Sequence, residues 1–178
     1  AVIGWGLGAP VKESALAPVR KWFYNQFDAL ITYSKQGAEQ VETLGVNRES
    51  IFVAVNATTA KPKHPLPARP SLVQNKPVVL FVGRLQARKR IDQLILACQA
   101  LPKNLQPDLL IVGDGPERAK LESIAQNNYP TTQFLGAKYG DELADIFRQA
   151  DLFVLPGTGG LAIQQAMSYG LPVIAAEA

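Results

Sequence analysis

The chain has 178 residues, 47% hydrophobic and 19% charged, a composition that excludes intrinsic disorder and fits one domain or parts of two. Its formal net charge of +3 is too small to argue for nucleic acid, and the densest basic cluster, Arg84, Arg88, Lys89 and Arg90, is local and better suited to a small anion. A single cysteine, Cys98, excludes an internal disulfide framework, and no apolar run reaches the length of a membrane span.

In chain order, Ala1-Val2-Ile3-Gly4-Trp5 reads as the middle of a strand. The only Met is Met167, so the expectation is a piece cut at both ends. Leu16, Val19, Trp22, Phe23 and Phe27 follow at helical spacing, and core packing is the expected role of this face. Short apolar runs then recur at 28–34, 50–56, 77–83, 108–113, 132–136, 151–156 and 171–176. Runs of this kind, near-continuous in Val, Ile, Leu and Phe, suit parallel strands buried on both faces.

Between the runs the period changes. Ile91, Leu94, Ile95, Cys98 and Leu101 fall on one helical face; so do Leu121, Ile124 and Ala125, and then Leu143, Ile146, Phe147 and Ala150. Pro116 fits the first position of the second of these helices. Strand alternating with helix predicts an α/β fold built on a doubly wound parallel sheet. The stretch 57–76, with Pro62, Pro65, Pro67 and Pro70, reads as a semi-rigid linker. It divides the chain into a smaller part, 1–56, and a larger second α/β unit, 77–178.

Chemistry in such a sheet is expected beyond the carboxyl ends of the strands. Arg84 sits there directly after Gly83, which favours a binding role. Arg88, Lys89 and Arg90, taken alone, read as a solvated loop. Gly113-Asp114-Gly115 is expected to be a structural turn. Gln133 to Lys138 ends another strand, and its backbone suits either the edge of a nucleobase or an ordinary strand terminus. The last stretch, Leu155-Pro156-Gly157-Thr158-Gly159-Gly160-Leu161, reads as strand, glycine-rich turn and helix start, an arrangement that suits a phosphate. Cys98 is expected in the core. The one histidine, His64, lies in the linker, and no Cys/His spacing suits a metal.

Taken in order, these loops resemble glycosyltransferases of the GT-B fold, family 4 (glycosyl transferases group 1). The resemblance is carried by Asp28-Ala29-Leu30-Ile31-Thr32-Tyr33-Ser34, by Ile51-Phe52-Val53-Ala54-Val55-Asn56, and by Gly83-Arg84-Leu85 with Lys89. Gly160-Leu161 through Ala166-Met167, and Gly170-Leu171-Pro172-Val173-Ile174, complete it. It implies two Rossmann-like domains, with most of the first and the end of the second lacking here, so that the piece is inactive by itself. It implies transfer of a sugar from a UDP- or GDP-type nucleotide sugar to a sugar or lipid-linked acceptor, with retention, no required metal and no separate cofactor. Arg84 and Lys89 would be the catalytic pair, stabilising the leaving diphosphate. Gly83, Leu135, Ala137, Gly159, Gly160, Leu161 and Gln165 would bind the donor, the 135–138 loop holding the base. The implied location is cytoplasmic, with peripheral attachment to the inner face of a membrane left open.

There are departures from the family pattern. Many relatives carry two glutamates eight positions apart, where this chain has Gly157 and Gln165. Trp5-Gly6-Leu7-Gly8 is similar to a WGHG segment of some relatives, with Leu7 at the histidine. A nucleotide-binding module without turnover and a nucleotide-sugar 2-epimerase therefore stand as alternatives.

Overall fold

The structure, a computed structural model, describes residues 3–7, 17–55 and 76–176. The chain divides into two units, Ala1–Ala57 and Thr58–Ala178. The stretch predicted as a linker lies outside the described residues apart from Lys76, as do His64, Asn56, Leu16 and Gly8.

The first unit contains β1 (Ile3–Leu7), α1 (Ala17–Tyr24), β2 (Ala29–Thr32), α2 (Lys35–Thr43) and β3 (Ile51–Val53). Its strands form a parallel sheet in the order β1-β2-β3. Leu30 and Ile51 are buried against Ala38 and Val41 of α2. Ser34 starts α2 as its N-cap, its hydroxyl accepting from the Gly37 N–H at 3.0 Å. The α1 face departs from expectation. Tyr24 is buried and Phe27 packs on the core, but Val19, Trp22 and Phe23 are exposed. Helical spacing puts these side chains on one face but does not supply an element to cover it; among the described residues Phe23 meets the rings of Tyr24 and Phe27 and still stays half exposed.

The second unit runs β4 (Val78–Val82), α3 (Ile91–Ala100), β5 (Asp108–Val112), α4 (Arg118–Asn128), β6 (Gln133–Gly136), α5 (Gly140–Gln149), β7 (Leu152–Leu155), α6 (Leu161–Ser168) and β8 (Val173–Ala175). The five strands form one all-parallel sheet, ordered β6-β5-β4-β7-β8. Each predicted apolar run from 77 onward contains one of them. β4 is central because its Val79, Leu80 and Phe81 are buried, with β5 on one side and β7 on the other. The sequence passes from β4 to β5 and β6, then returns across β4 to β7, so the strand order reverses beside β4. Such a reversal is where doubly wound sheets leave a crevice at their carboxyl ends.

The helices pack as their spacing predicts. Ile91, Leu94, Ile95 and Cys98 are buried, as are Leu121 and Ala125, and Leu143 and Phe147. Leu101 is instead exposed, because α3 ends at Ala100 and the backbone turns extended there. Phe147 stacks on Tyr169 with ring centroids 5.1 Å apart, which ties α5 to the end of α6. Pro116 lies before α4 rather than inside it, in a turn closed by the Arg118 N–H donating to the Gly115 carbonyl at 3.1 Å. Among the described residues no helix is long and apolar enough to cross a membrane.

Candidate functional site

Three loops of the second unit meet at the carboxyl ends of β4, β5 and β6. The β4–α3 loop is zipped to the β5–α4 loop through its backbone. Gly83 donates to the Val112 carbonyl at 2.9 Å, Leu85 to the Asp114 carbonyl at 2.9 Å, and Glu117 donates back to the Leu85 carbonyl at 3.1 Å. Leu85 is fully buried. Arg84 is thus held on both sides by fixed neighbours while its own side chain stays exposed. Among the described residues its guanidinium has no hydrogen-bond or ion-pair partner.

The Gly113-Asp114-Gly115 turn is structural, as its sequence suggests. A β-carbon on Gly113 would overlap the Gly83 carbonyl oxygen, and one on Gly115 would lie 2.8 Å from the Leu85 nitrogen. Gly113 also donates to the Gly136 carbonyl at 2.8 Å, which joins β6 to the set.

A cavity of about 500 Å³ opens among these strand ends. Val82, Gly83 and Arg84 line it from β4, and Val112, Gly113 and Asp114 from β5. Ala137, Lys138 and Tyr139 follow β6, Gly140 and Leu143 belong to α5, and Gln165 reaches it from α6. Its wall is apolar in Val82, Val112, Ala137 and Leu143, with charge at Arg84, Lys138 and Asp114, the usual make-up of a small-molecule site. Lys138 lies 3.4 Å from Glu142, and Asp114 3.5 Å from Arg118, so neither rim charge is as unengaged as Arg84.

Lys89 occupies a second place. It lies at the end of a short 3-10 turn, Ala87–Lys89, and its ammonium donates to the Thr158 carbonyl at 2.5 Å. A β-carbon on Gly159 would collide with that ammonium. Arg90 then turns the chain into α3 with a left-handed φ of 53°, the one positive φ of a non-glycine residue among those described. Partial burial, and next the charge of Arg88, lower the Lys89 pKa from its ordinary value. The lysine therefore sits at the start of α6. That helix opens at Gly160 with no side-chain cap, leaving its first amides for another acceptor.

The structure thus brings Gly83, Arg84, Ala137 and Gln165 to one cavity, and Lys89 to the Gly157–Gly160 turn. Leu135 is half-buried in β6, packed on the core and not among the cavity residues; Gly159, Gly160 and Leu161 form the turn and first position of α6. Sequence reasoning passed over Tyr139 and gave Asp114 and Thr158 only as parts of turns, whereas Lys138 belongs to the loop expected to hold the base. Tyr139 was legible only as a large exposed aromatic next to the strand-end Gly136, and nothing local marks Thr158.

Comparison with known proteins follows from this geometry. The family model described as glycosyl transferases group 1 matches residues 64–178, more than half the chain. A GDP-mannose-dependent alpha-mannosyltransferase of Mycobacterium tuberculosis is 44% identical over 107 residues, covering 58% of this chain and 26% of that protein. One of the same description from Corynebacterium glutamicum is 32% identical over 167 residues, covering 89% of this chain and 38% of that protein. The chain therefore spans well under half the length of these relatives. Among solved structures, HepE of Anabaena in complex with UDP and glucose aligns with a TM-score of 0.65 at 22% identity, over 99% of this chain and 52% of that one. This likeness establishes a GT-B fold.

Proposed function

The chain belongs to the glycosyl transferases group 1 family, and on that premise we propose that it supplies the donor-binding side of a glycosyltransferase using a nucleoside-diphosphate sugar. The observation that carries this reading is the placement of Arg84, a guanidinium without a partner among the described residues, at the cavity beyond the end of β4, beside which the strand order reverses. A planar cation with free donors suits a diphosphate. Arg84 binds it as a fork and Lys89 as a point charge, and both strengthen their hold as the sugar bond breaks and negative charge gathers on the leaving group. The uncapped amides of α6 add donors on the same side as Lys89. The cavity walls of Ala137, Lys138 and Tyr139 receive the base, and Gln165 hydrogen-bonds a ribose hydroxyl as a neutral amide. Residues 1–56 belong to the acceptor domain, 57–76 to the crossing between domains and 77–178 to the donor domain. Transfer proceeds with retention and without a metal, at a cytoplasmic location, to a sugar or lipid-linked acceptor.

The names of the mannosyltransferase relatives make GDP-mannose the first donor to try, and the ligands of HepE make UDP-glucose the second. Calorimetric titration of the full-length protein with GDP and UDP, followed by assay of nucleotide release from the matching sugar donor, tests the reading. Saturable binding of one nucleotide with acceptor-dependent release supports it. Binding without release leaves a nucleotide-binding module, favoured to that extent by glycine and glutamine at positions 157 and 165. Binding of neither nucleotide overturns the assignment.

A further inference from the structure

Thr158 engages two consecutive cations through both its backbone and its side chain. Lys89 donates to its carbonyl at 2.5 Å, Arg88 Nη1 donates to its Oγ1 at 3.3 Å, and its own N–H donates to the Arg88 carbonyl at 3.2 Å. The contact joins the loops that follow β4 and β7, which are neighbours in the sheet. It closes because Gly157 lacks a side chain. A β-carbon there would overlap the Arg88 carbonyl oxygen and lie 2.7 Å from both Cα and the carbonyl carbon of Lys89. All three atoms are backbone, so no change of rotamer relieves the clash.

The choice of a carbonyl as partner has chemical consequences. A lysine on a surface turn loses rotamer freedom when a ligand fixes it, unless the protein has fixed it already. A carboxylate would fix it but cancel its charge toward an incoming anion. A carbonyl accepts one ammonium N–H, leaves the charge in place and leaves two N–H groups to donate. The Arg88 side chain, held by Thr158 Oγ1 and by Gln86 Oε1 at 3.1 Å, keeps the turn that carries Lys89 in register.

We propose that Thr158 is a positioning residue for Lys89, its carbonyl delivered by the side-chain-free Gly157 to hold the ammonium ready for the β-phosphate of a nucleoside diphosphate. This rests on the diphosphate reading of Lys89 given above.

The test compares a nucleoside diphosphate with its monophosphate, GDP with GMP or UDP with UMP, on the full-length protein and its Gly157→Ala, Lys89→Ala and doubly substituted variants. Gly157→Ala is expected to weaken diphosphate binding about tenfold, the scale of one charged hydrogen bond, while the monophosphate changes less than about threefold. The double variant is expected to bind no worse than Lys89→Ala alone, because residues acting through one another are not additive. If Gly157→Ala does not fold, Thr158→Val, nearly isosteric and lacking only the Arg88 acceptor, is expected to show the same diphosphate-selective loss at about threefold. Equal losses for both ligands, additive losses in the double variant, or no loss in a folded Gly157→Ala or Thr158→Val protein overturn the positioning role. No loss of diphosphate affinity in Lys89→Ala overturns the diphosphate reading itself, and the inference with it.

Discussion

Gly113 packs so closely on the carbonyl oxygen of Gly83 that no β-carbon fits between them, and it does so at a φ of +136°. The contact sets the separation of the β4 and β5 ends one residue before Arg84. Gly113→Ala is therefore expected to destabilise the protein by roughly 2–4 kcal/mol, combining backbone strain with overpacking. Gly140 is the control: its φ is +55°, but nothing stands within 4 Å of its missing β-carbon. Gly140→Ala should cost only about 1 kcal/mol, the conformational part alone. Urea unfolding midpoints of the two variants measure the difference, and equal losses would show that the Gly83 contact contributes nothing.

Arg84→Ala separates binding from folding. Its side chain is exposed and, among the described residues, unpartnered, so the unfolding midpoint should stay within about 0.5 kcal/mol of the parent. Nucleotide affinity should fall tenfold or more, as expected for about 1.5–3 kcal/mol of lost charged hydrogen bonding. A parallel loss of stability and affinity would make Arg84 structural.

Lys89 gives two opposite pH dependences. Its pKa in the folded chain lies below its ordinary 10.5, lowered first by partial burial and then by Arg88. Between that lowered value and 10.5 the unfolded chain binds the extra proton, so this group makes stability rise with pH across the window. Diphosphate affinity should fall across the same window, as the ammonium loses the charge that holds the anion. Lys89→Ala should remove the Lys89 share of both slopes, leaving those of other titrating groups such as Cys98. Titrations of affinity and of thermal midpoint from pH 8 upward, with the variant as baseline, check the signs.

Cys98 should report opening of α3. It is buried, and burial pushes its thiol up to about 11. At pH 8 only about one thiol in a thousand is then ionised in the folded state, and access is blocked as well. Maleimide labelling should be slow in native buffer and should accelerate with urea in step with unfolding. Rapid labelling of the folded protein would mean that the packing of α3 on the sheet opens easily.

What could be read from the sequence follows a physical division. Strands such as β4 and β7 are legible because parallel strands buried on both faces leave uninterrupted apolar runs. The amphipathic helices are legible because one buried stripe repeats at 3.6 residues. Gly83-Arg84 was legible as a strand end followed by a cation. Contacts that span the chain leave no local trace: Lys89 meets a backbone carbonyl 69 positions away, and any residue type at 158 would supply that carbonyl. For the same reason the cavity wall formed by Tyr139 and Asp114 appears only once β5 and β6 lie side by side. The exposed Trp22 and Phe23 show the converse limit, since an apolar stripe signals burial only when a second surface exists to meet it.

The sheet order β6-β5-β4-β7-β8 also sets a sequence of events at the ribosome. The Arg84 loop needs only β5 and its turn, which follow it closely in the chain, whereas the Lys89 contact waits for Thr158, roughly forty residues beyond Asp114 and some 2–9 seconds later at typical synthesis rates of 5–20 residues per second. The loop that carries the guanidinium is thus paired with its neighbour while the lysine still lacks its carbonyl partner. Synthesis stalled between these two points should yield a chain that docks the β4 loop and leaves Lys89 unheld.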